Sequence, residues 1–182
     1  MDISKLQPKS WNNIESIISN DRIGNAYLIN GPSGSGKEAF ALQFCSSITG
    51  FDLIEFINNP NIFFIAPGSK DFYTKLFKSS KIDDEEYKEW NNYLRQKLTF
   101  PLRKNRLSNS RQIPLIALKN LKKNIFFKSD RKKVVIIFDA HALSEQSGEA
   151  ANTLLKILEE PPNNTSFLLV TDLIDRVMPT IT

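Results

Sequence analysis

Gly31-Pro32-Ser33-Gly34-Ser35-Gly36-Lys37 is the stretch that most restricts what this chain can fold into. It fits the pattern G-x-x-x-x-G-K. It comes after a short apolar run, Ala26-Tyr27-Leu28-Ile29-Asn30, which reads as a buried strand. It also opens a stretch in which Phe40, Ala41, Phe44, Cys45 and Ile48 recur at helical spacing until Gly50 stops it. In such a strand–loop–helix unit the glycines let the backbone curl so that its N–H groups point at phosphate oxygens. The helix N-terminus adds partial positive charge, and Lys37 would reach the outer phosphates. The plainer alternative is a glycine-rich turn that closes the junction without a ligand.

The rest of the chain repeats the strand–helix alternation. Ile62-Phe63-Phe64-Ile65 reads as a second strand closed by Pro67-Gly68. Val134-Val135-Ile136-Ile137-Phe138 reads as a central strand, and Phe167-Leu168-Leu169-Val170 as a fourth. Pro114 suits the first turn of a helix with Ile113, Ile116, Ala117, Leu121 and Ile125 on one face. Glu149 to Glu160 reads as a helix with Ala151, Leu154, Leu155 and Leu158 inward, ended by Pro161-Pro162. Residues 68–111 are less regular. They hold an acidic cluster (Asp83, Asp84, Glu85, Glu86, Glu89) and enough aromatics to argue against disorder, and we expect a helical insertion. The fold class expected is α/β, a phosphate-loop-type three-layer domain with a parallel sheet and helices on both faces.

With 182 residues the chain can bury a full core. No apolar run approaches the ~20 residues of a membrane span, and no apolar signal core precedes Ser10, so the expected location is cytoplasmic, with no membrane partner. One cysteine, Cys45, and one histidine, His141, cannot make an internal disulfide or a zinc site of Cys and His ligands. The net charge of +4 is unevenly placed. One basic stretch runs Arg95, Lys97, Arg103, Lys104, Arg106, Arg111, and another runs from Lys119 to Lys133 with only Asp130 between. Either could hold a phosphate backbone or simply be a solvated face.

Two chemically essential positions depart from an active nucleotide hydrolase. After Lys37 the pattern calls for Ser or Thr to ligate Mg²⁺, and here stands Glu38. A carboxylate can bind Mg²⁺, but two unit charges ~5 Å apart repel by about 3 kcal/mol at an effective dielectric of ~20. Pairing with Lys37 would relieve that and occupy the lysine. After the central strand, two neighbouring acids should hold the metal and polarise water, whereas this chain has Asp139-Ala140-His141. If Asp139 is the metal residue, Ala140 stands at the base position. If Asp139 is the base, Phe138 stands at the metal position. His141 is expected to cap or pack. ATP or ADP with Mg²⁺ is therefore expected to bind weakly or not at all.

Several longer stretches resemble bacterial clamp-loader subunits of the AAA+ class. Gly24-Asn25-Ala26-Tyr27-Leu28-Ile29-Asn30-Gly31-Pro32 is similar to their lead-in to the phosphate loop, and Asn59-Pro60-Asn61-Ile62 to the entry of their second strand. Ala150-Ala151-Asn152-Thr153-Leu154-Leu155-Lys156-Ile157-Leu158-Glu159-Glu160-Pro161-Pro162 resembles a long and specific family segment. Phe167 to Thr171 resembles the sensor strand, which adds Thr171 to the expected nucleotide site. Val177-Met178-Pro179-Thr180-Ile181 resembles the family's next segment after that strand. The likeness covers about residues 20–66 and 110–182 and leaves out 68–111.

The resemblance implies an AAA+ nucleotide-binding core over 1–182, with lid and collar domains absent. Its degenerate nucleotide site would comprise Gly31, Pro32, Ser33, Gly34, Ser35, Gly36, Lys37, Glu38, Asp139 and Thr171. The losses at Glu38 and Ala140 favour the delta-prime kind, a stator that does not hydrolyse ATP. Its partners would be the other subunits of a hetero-oligomeric ring, the sliding clamp and primer-template DNA. The family's four-cysteine zinc module has no counterpart here, and the segment Glu145 to Glu149 is longer than usual. The chain ends at Thr182, before the family's arginine finger, so a fragment is expected. An ATP-hydrolysing motor subunit or another AAA+ ATPase is the alternative. An unrelated nucleotide kinase and a DNA-binding module are more distant ones.

Overall fold

The computed structural model describes residues 3–78, 84–144 and 148–177. Four strands, β1 (Ala26–Asn30), β2 (Ile62–Ile65), β3 (Lys133–Ile137) and β4 (Thr165–Thr171), form one sheet in the order β1-β4-β3-β2. Every pairing is parallel, with Leu28 opposite Leu169, Ile136 opposite Leu168 and Phe64 opposite Ile136. The two inner strands are buried along their whole length. That is why they read as unbroken apolar runs rather than alternating ones.

Alternation reappears in what each side chain meets. Val134, Ile136, Phe138, Leu168 and Val170 share one core with Trp11, Phe40, Phe44 and Leu98. Val135, Ile137, Phe167 and Leu169 share the other with Leu118, Leu121, Leu154 and Ile157. The helices on the first face include α2 (Pro8–Ser19), α3 (Lys37–Thr49) and α5 (Glu85–Thr99). On the second lie α4 (Lys70–Lys78), α6 (Leu115–Ile125) and α7 (Glu149–Glu159). A short α1 (Ile3–Leu6) precedes them all. The result is the expected three-layer α/β arrangement.

Several particulars differ from the sequence-based expectation. Helices α1 and α2 lie where no element was expected, although Pro8 at the helix start and the Trp11/Ile14 spacing signal α2. Trp11 packs edge-on to Phe40, ring centroids 5.5 Å apart, and ties α2 to α3. Pro114 sits just before α6 at its N-cap rather than in its first turn, and Leu118 joins the buried face. In α7 it is Ile157, with Ala150, Ala151 and Leu154, that is buried, while Leu155 and Leu158 are only partly so. The buried stripe runs along the i, i+4, i+7 line from Ala150 and packs into the second core with α6 and the sheet. Residues 70–78 and 85–99 are helical as expected. Asp84 stands at the N-cap of α5 and Glu85 and Glu86 occupy its first turn, so this acidic cluster complements the helix dipole. Asp83, Glu145 to Ser147 and Met178 to Ile181, which carried parts of the expectation, lie outside the described residues.

Two members of the basic stretches turn inward rather than to solvent. Lys133 donates to the carbonyl oxygens of Ile125 (2.8 Å) and Phe127 (2.9 Å), which satisfies acceptors at the end of α6. Its burial lowers its pKa. Lys97 is 1% exposed and belongs to the candidate site.

Candidate functional site

The expected site residues meet at the carboxyl ends of β1, β3 and β4, where ligands of open parallel sheets bind. The loop 31–36 joins β1 to α3. Gly34 (φ 82°) and Gly36 (φ 80°) take left-handed conformations that a side chain would strain. A Cβ at Gly31 would lie 2.8 Å from Ser35 Oγ. The loop is anchored from both sides: Gly31 N–H donates to the Thr171 carbonyl (3.3 Å), and Gln7 Nε2 donates to the Ser35 carbonyl (2.9 Å).

The charged groups of the loop are engaged by the protein itself. Lys37 Nζ donates back to the Pro32 carbonyl at 3.2 Å. Glu38, in the first turn of α3, does not pair with Lys37. Its Oε2 accepts from Lys97 Nζ of α5 at 2.5 Å. Lys97 also donates to the Asn105 carbonyl (3.1 Å) and sits 4.7 Å from the centroid of the Phe138 ring. Lys104 Nζ donates to Ser33 Oγ at 3.2 Å. Leu102 lies over Gly36, 3.3 Å from where a Cβ would stand. The space left between Ser33, Gly36, Glu38, Pro101, Leu102 and Asp139 is a cavity of about 50 Å³. This arrangement does not fit a Mg²⁺-bound triphosphate. The carboxylate at the metal position already holds a cation, the loop lysine is folded onto the loop, and the Leu102 side chain lies over Gly36.

Asp139 begins a short 3₁₀ turn, Ala140–Leu143, in a left-handed conformation (φ 50°, ψ 52°). Strain of this kind at a non-glycine residue is common where a side chain is aimed into a site. His141 does pack, but it also takes part in a polar cluster. Its Nδ1 is 3.0 Å from Thr171 Oγ1 and 3.8 Å from Asp172 Oδ1. Thr171 is fully buried, and its hydroxyl also accepts the Leu173 N–H at 3.1 Å. Asp139, His141 and Asp172 offer donor atoms within 4.8 Å of one another, a set able to hold a divalent cation. They border a polar cavity of about 250 Å³ that Tyr93, Arg106 and Arg176 also line. Burial pushes the Tyr93 phenol well above its ordinary range, and the charges of Glu38 and then Asp139 add to this.

The structure thus brings the loop, Glu38, Asp139 and Thr171 into one region. Gln7, Lys97, Lys104 and Asp172 were missed from sequence. Asp172, directly after a strand's carboxyl end, was the one with a positional signal.

Fold and loop together define a parallel-sheet α/β module with a glycine loop at the carboxyl edge of its sheet. A gamma-subunit-related protein of DNA polymerase III from Thermotoga maritima shares the fold. It superposes with a TM-score of 0.55 at 18% identity, over 92% of this chain and 42% of that one. The DNA polymerase III subunit delta' of Bacillus subtilis (strain 168) is 26% identical over 180 residues, 99% of this chain. The alignment takes in 46% of that protein, so the chain spans less than half of its relative's length. The family described as "DNA polymerase III, delta subunit" matches residues 6–182, and the chain belongs to it. Among the described residues no helix is long and apolar enough to cross a membrane.

Proposed function

We propose that this chain provides a delta-prime-like AAA+ module to a clamp-loader ring in the cytoplasm, one that binds and positions its neighbours without hydrolysing ATP. Its partners are the other clamp-loader subunits, and through the ring the sliding clamp and primer-template DNA. The observation that carries this is the family match over nearly the whole chain, on a fold with the glycine loop at the carboxyl edge of the sheet. The stator role is supported by Glu38 bonded to Lys97 and by Ala140 standing where a second acid would adjoin Asp139. In this reading residues 68–111 form an insertion within the AAA+ core, one that lies inside the span of the family match.

The test is reconstitution with the remaining clamp-loader subunits of the same genome. Co-elution as a stoichiometric hetero-oligomer is expected, and consistent absence from the assembled ring defeats the assignment. An ATPase assay with Lys37→Ala as control addresses the motor alternative. No Lys37-dependent turnover is expected from the isolated chain.

A further inference from the structure

Residues 84–105 reach the glycine loop from a distant part of the chain and meet it at three residues, Ser33, Gly36 and Glu38. Lys97 contacts Glu38, Lys104 contacts Ser33, and Leu102 lies over Gly36. We propose that this segment is a built-in stopper of the loop: Lys97 takes the position of the divalent cation, Leu102 and Lys104 take that of the phosphates, and nucleoside triphosphates are excluded.

The segment is built to hold that pose. Beyond α5 the chain turns back on itself, with Phe100 N–H donating to the Gln96 carbonyl (2.9 Å) and Arg103 N–H to the Phe100 carbonyl (2.9 Å). Asn105 Nδ2 donates to the Tyr93 carbonyl at 3.2 Å while its own carbonyl accepts from Lys97, so one residue clasps both the helix and its buried cation. The aromatic rings of Phe138 and Tyr93 face the Lys97 ammonium at 4.7 Å and 5.4 Å and stabilise it away from water. Phe138 directly precedes Asp139, so a single cation joins the loop motif to the end of β3. Because the Lys97 charge offsets Glu38, exclusion rests on the space the segment fills and not on repulsion by a carboxylate. At the other edge, Gln7 holds the loop carbonyl and Ile3 approaches Gly36. The stopper rests on the loop being a phosphate-type loop but not on ring membership, so a failed reconstitution leaves it standing.

The experiment titrates the purified full chain with a fluorescent ATP analogue, with Mg²⁺ and with EDTA. The wild-type chain is expected to show no saturable binding. Leu102→Gly with Lys104→Ala alters two exposed side chains that the fold does not need, and detectable binding is expected. Adding Glu38→Thr with Lys97→Met supplies the hydroxyl the loop pattern calls for, and Mg²⁺-dependent binding at least about tenfold tighter is expected, abolished by Lys37→Ala. Saturable Mg²⁺-dependent binding by the wild type overturns the proposal. So does a folded Leu102→Gly/Lys104→Ala variant without any gain, which decides the matter even if the fourfold variant does not fold. Binding by Glu38→Thr alone equal to that of the fourfold variant overturns it as well.

Discussion

The glycine loop and the end of β3 are neighbours with opposite surroundings. At the loop, the one carboxylate is neutralised by a buried lysine and a hydrophobic side chain closes over the backbone. At the end of β3, Asp139, His141 and Asp172 face a polar cavity about five times larger than the space at the loop. Glu38 takes a lysine from a distant helix, whereas His141 meets Thr171 and Asp172 within the cluster at the strand ends. Glu38 is largely withdrawn from water and takes its counter-charge from another segment, whereas Asp139 and Asp172 border the larger polar cavity.

The sharpest way to break this contrast is Lys97→Met. Removing one partner of a buried ion pair strands the other, which typically costs 3–5 kcal/mol, and because Glu38 keeps 20% exposure the loss is expected near about 3 kcal/mol. Urea unfolding would measure it. The Glu38→Met/Lys97→Met double variant is expected to recover most of that loss. A single variant as stable as the wild type would remove the distinction between the two places.

A smaller effect is expected in α4, whose Tyr73 packs beside Trp90 of the stopper's helix. The buried Tyr73 hydroxyl donates to the Ala66 carbonyl (2.6 Å) and accepts its N–H (3.2 Å), locking α4 to the end of β2. Tyr73→Phe leaves both groups unsatisfied, and about 2 kcal/mol of stability should be lost.

Tyr93 lies between the two motifs and reports on both. Its phenol pKa is raised in the fold, chiefly by burial, so the unfolded chain releases that proton first as pH climbs. Stability contributed by the neutral phenol is full below the unfolded value of ~10 and is lost above it, by about 1.4 kcal/mol per pH unit. At pH ~11 Tyr93→Phe should therefore lose about 1.4 kcal/mol less than the wild type relative to neutral pH.

Least of all, Lys104→Ala should change stability by no more than about 0.5 kcal/mol, because its contact with Ser33 is exposed to water. A loss several times larger, measured by the same denaturant curves, would mean that the stopper is held by its tip rather than by Lys97.

Much of the architecture was legible because it is local. Four apolar runs became four strands, and Gly50 stops α3 in a left-handed conformation (φ 74°) as its position suggested. The strand–glycine–helix order placed the loop at the correct edge of the sheet. Periodicity was less reliable at α7, where several adjacent apolar residues left the inward stripe ambiguous until packing into the second core fixed it. Helix α2 was readable in principle, since Trp11 and Ile14 share a face behind Pro8, but its mixed polarity hid it.

The chain's own order of residues determined the parallel sheet, the glycine loop, and the absence of a second acid after Asp139. Only the tertiary structure decided what Glu38 faces. Its partner Lys97 is 59 positions away in the chain, and it reads there as one of several solvent-facing basic residues. The reason is physical: periodicity reports which side of an element is buried, whereas the partner of a buried charge depends on how distant elements pack. A carboxylate and an ammonium placed in the same interior have to find each other, and no local pattern in either segment records that they do.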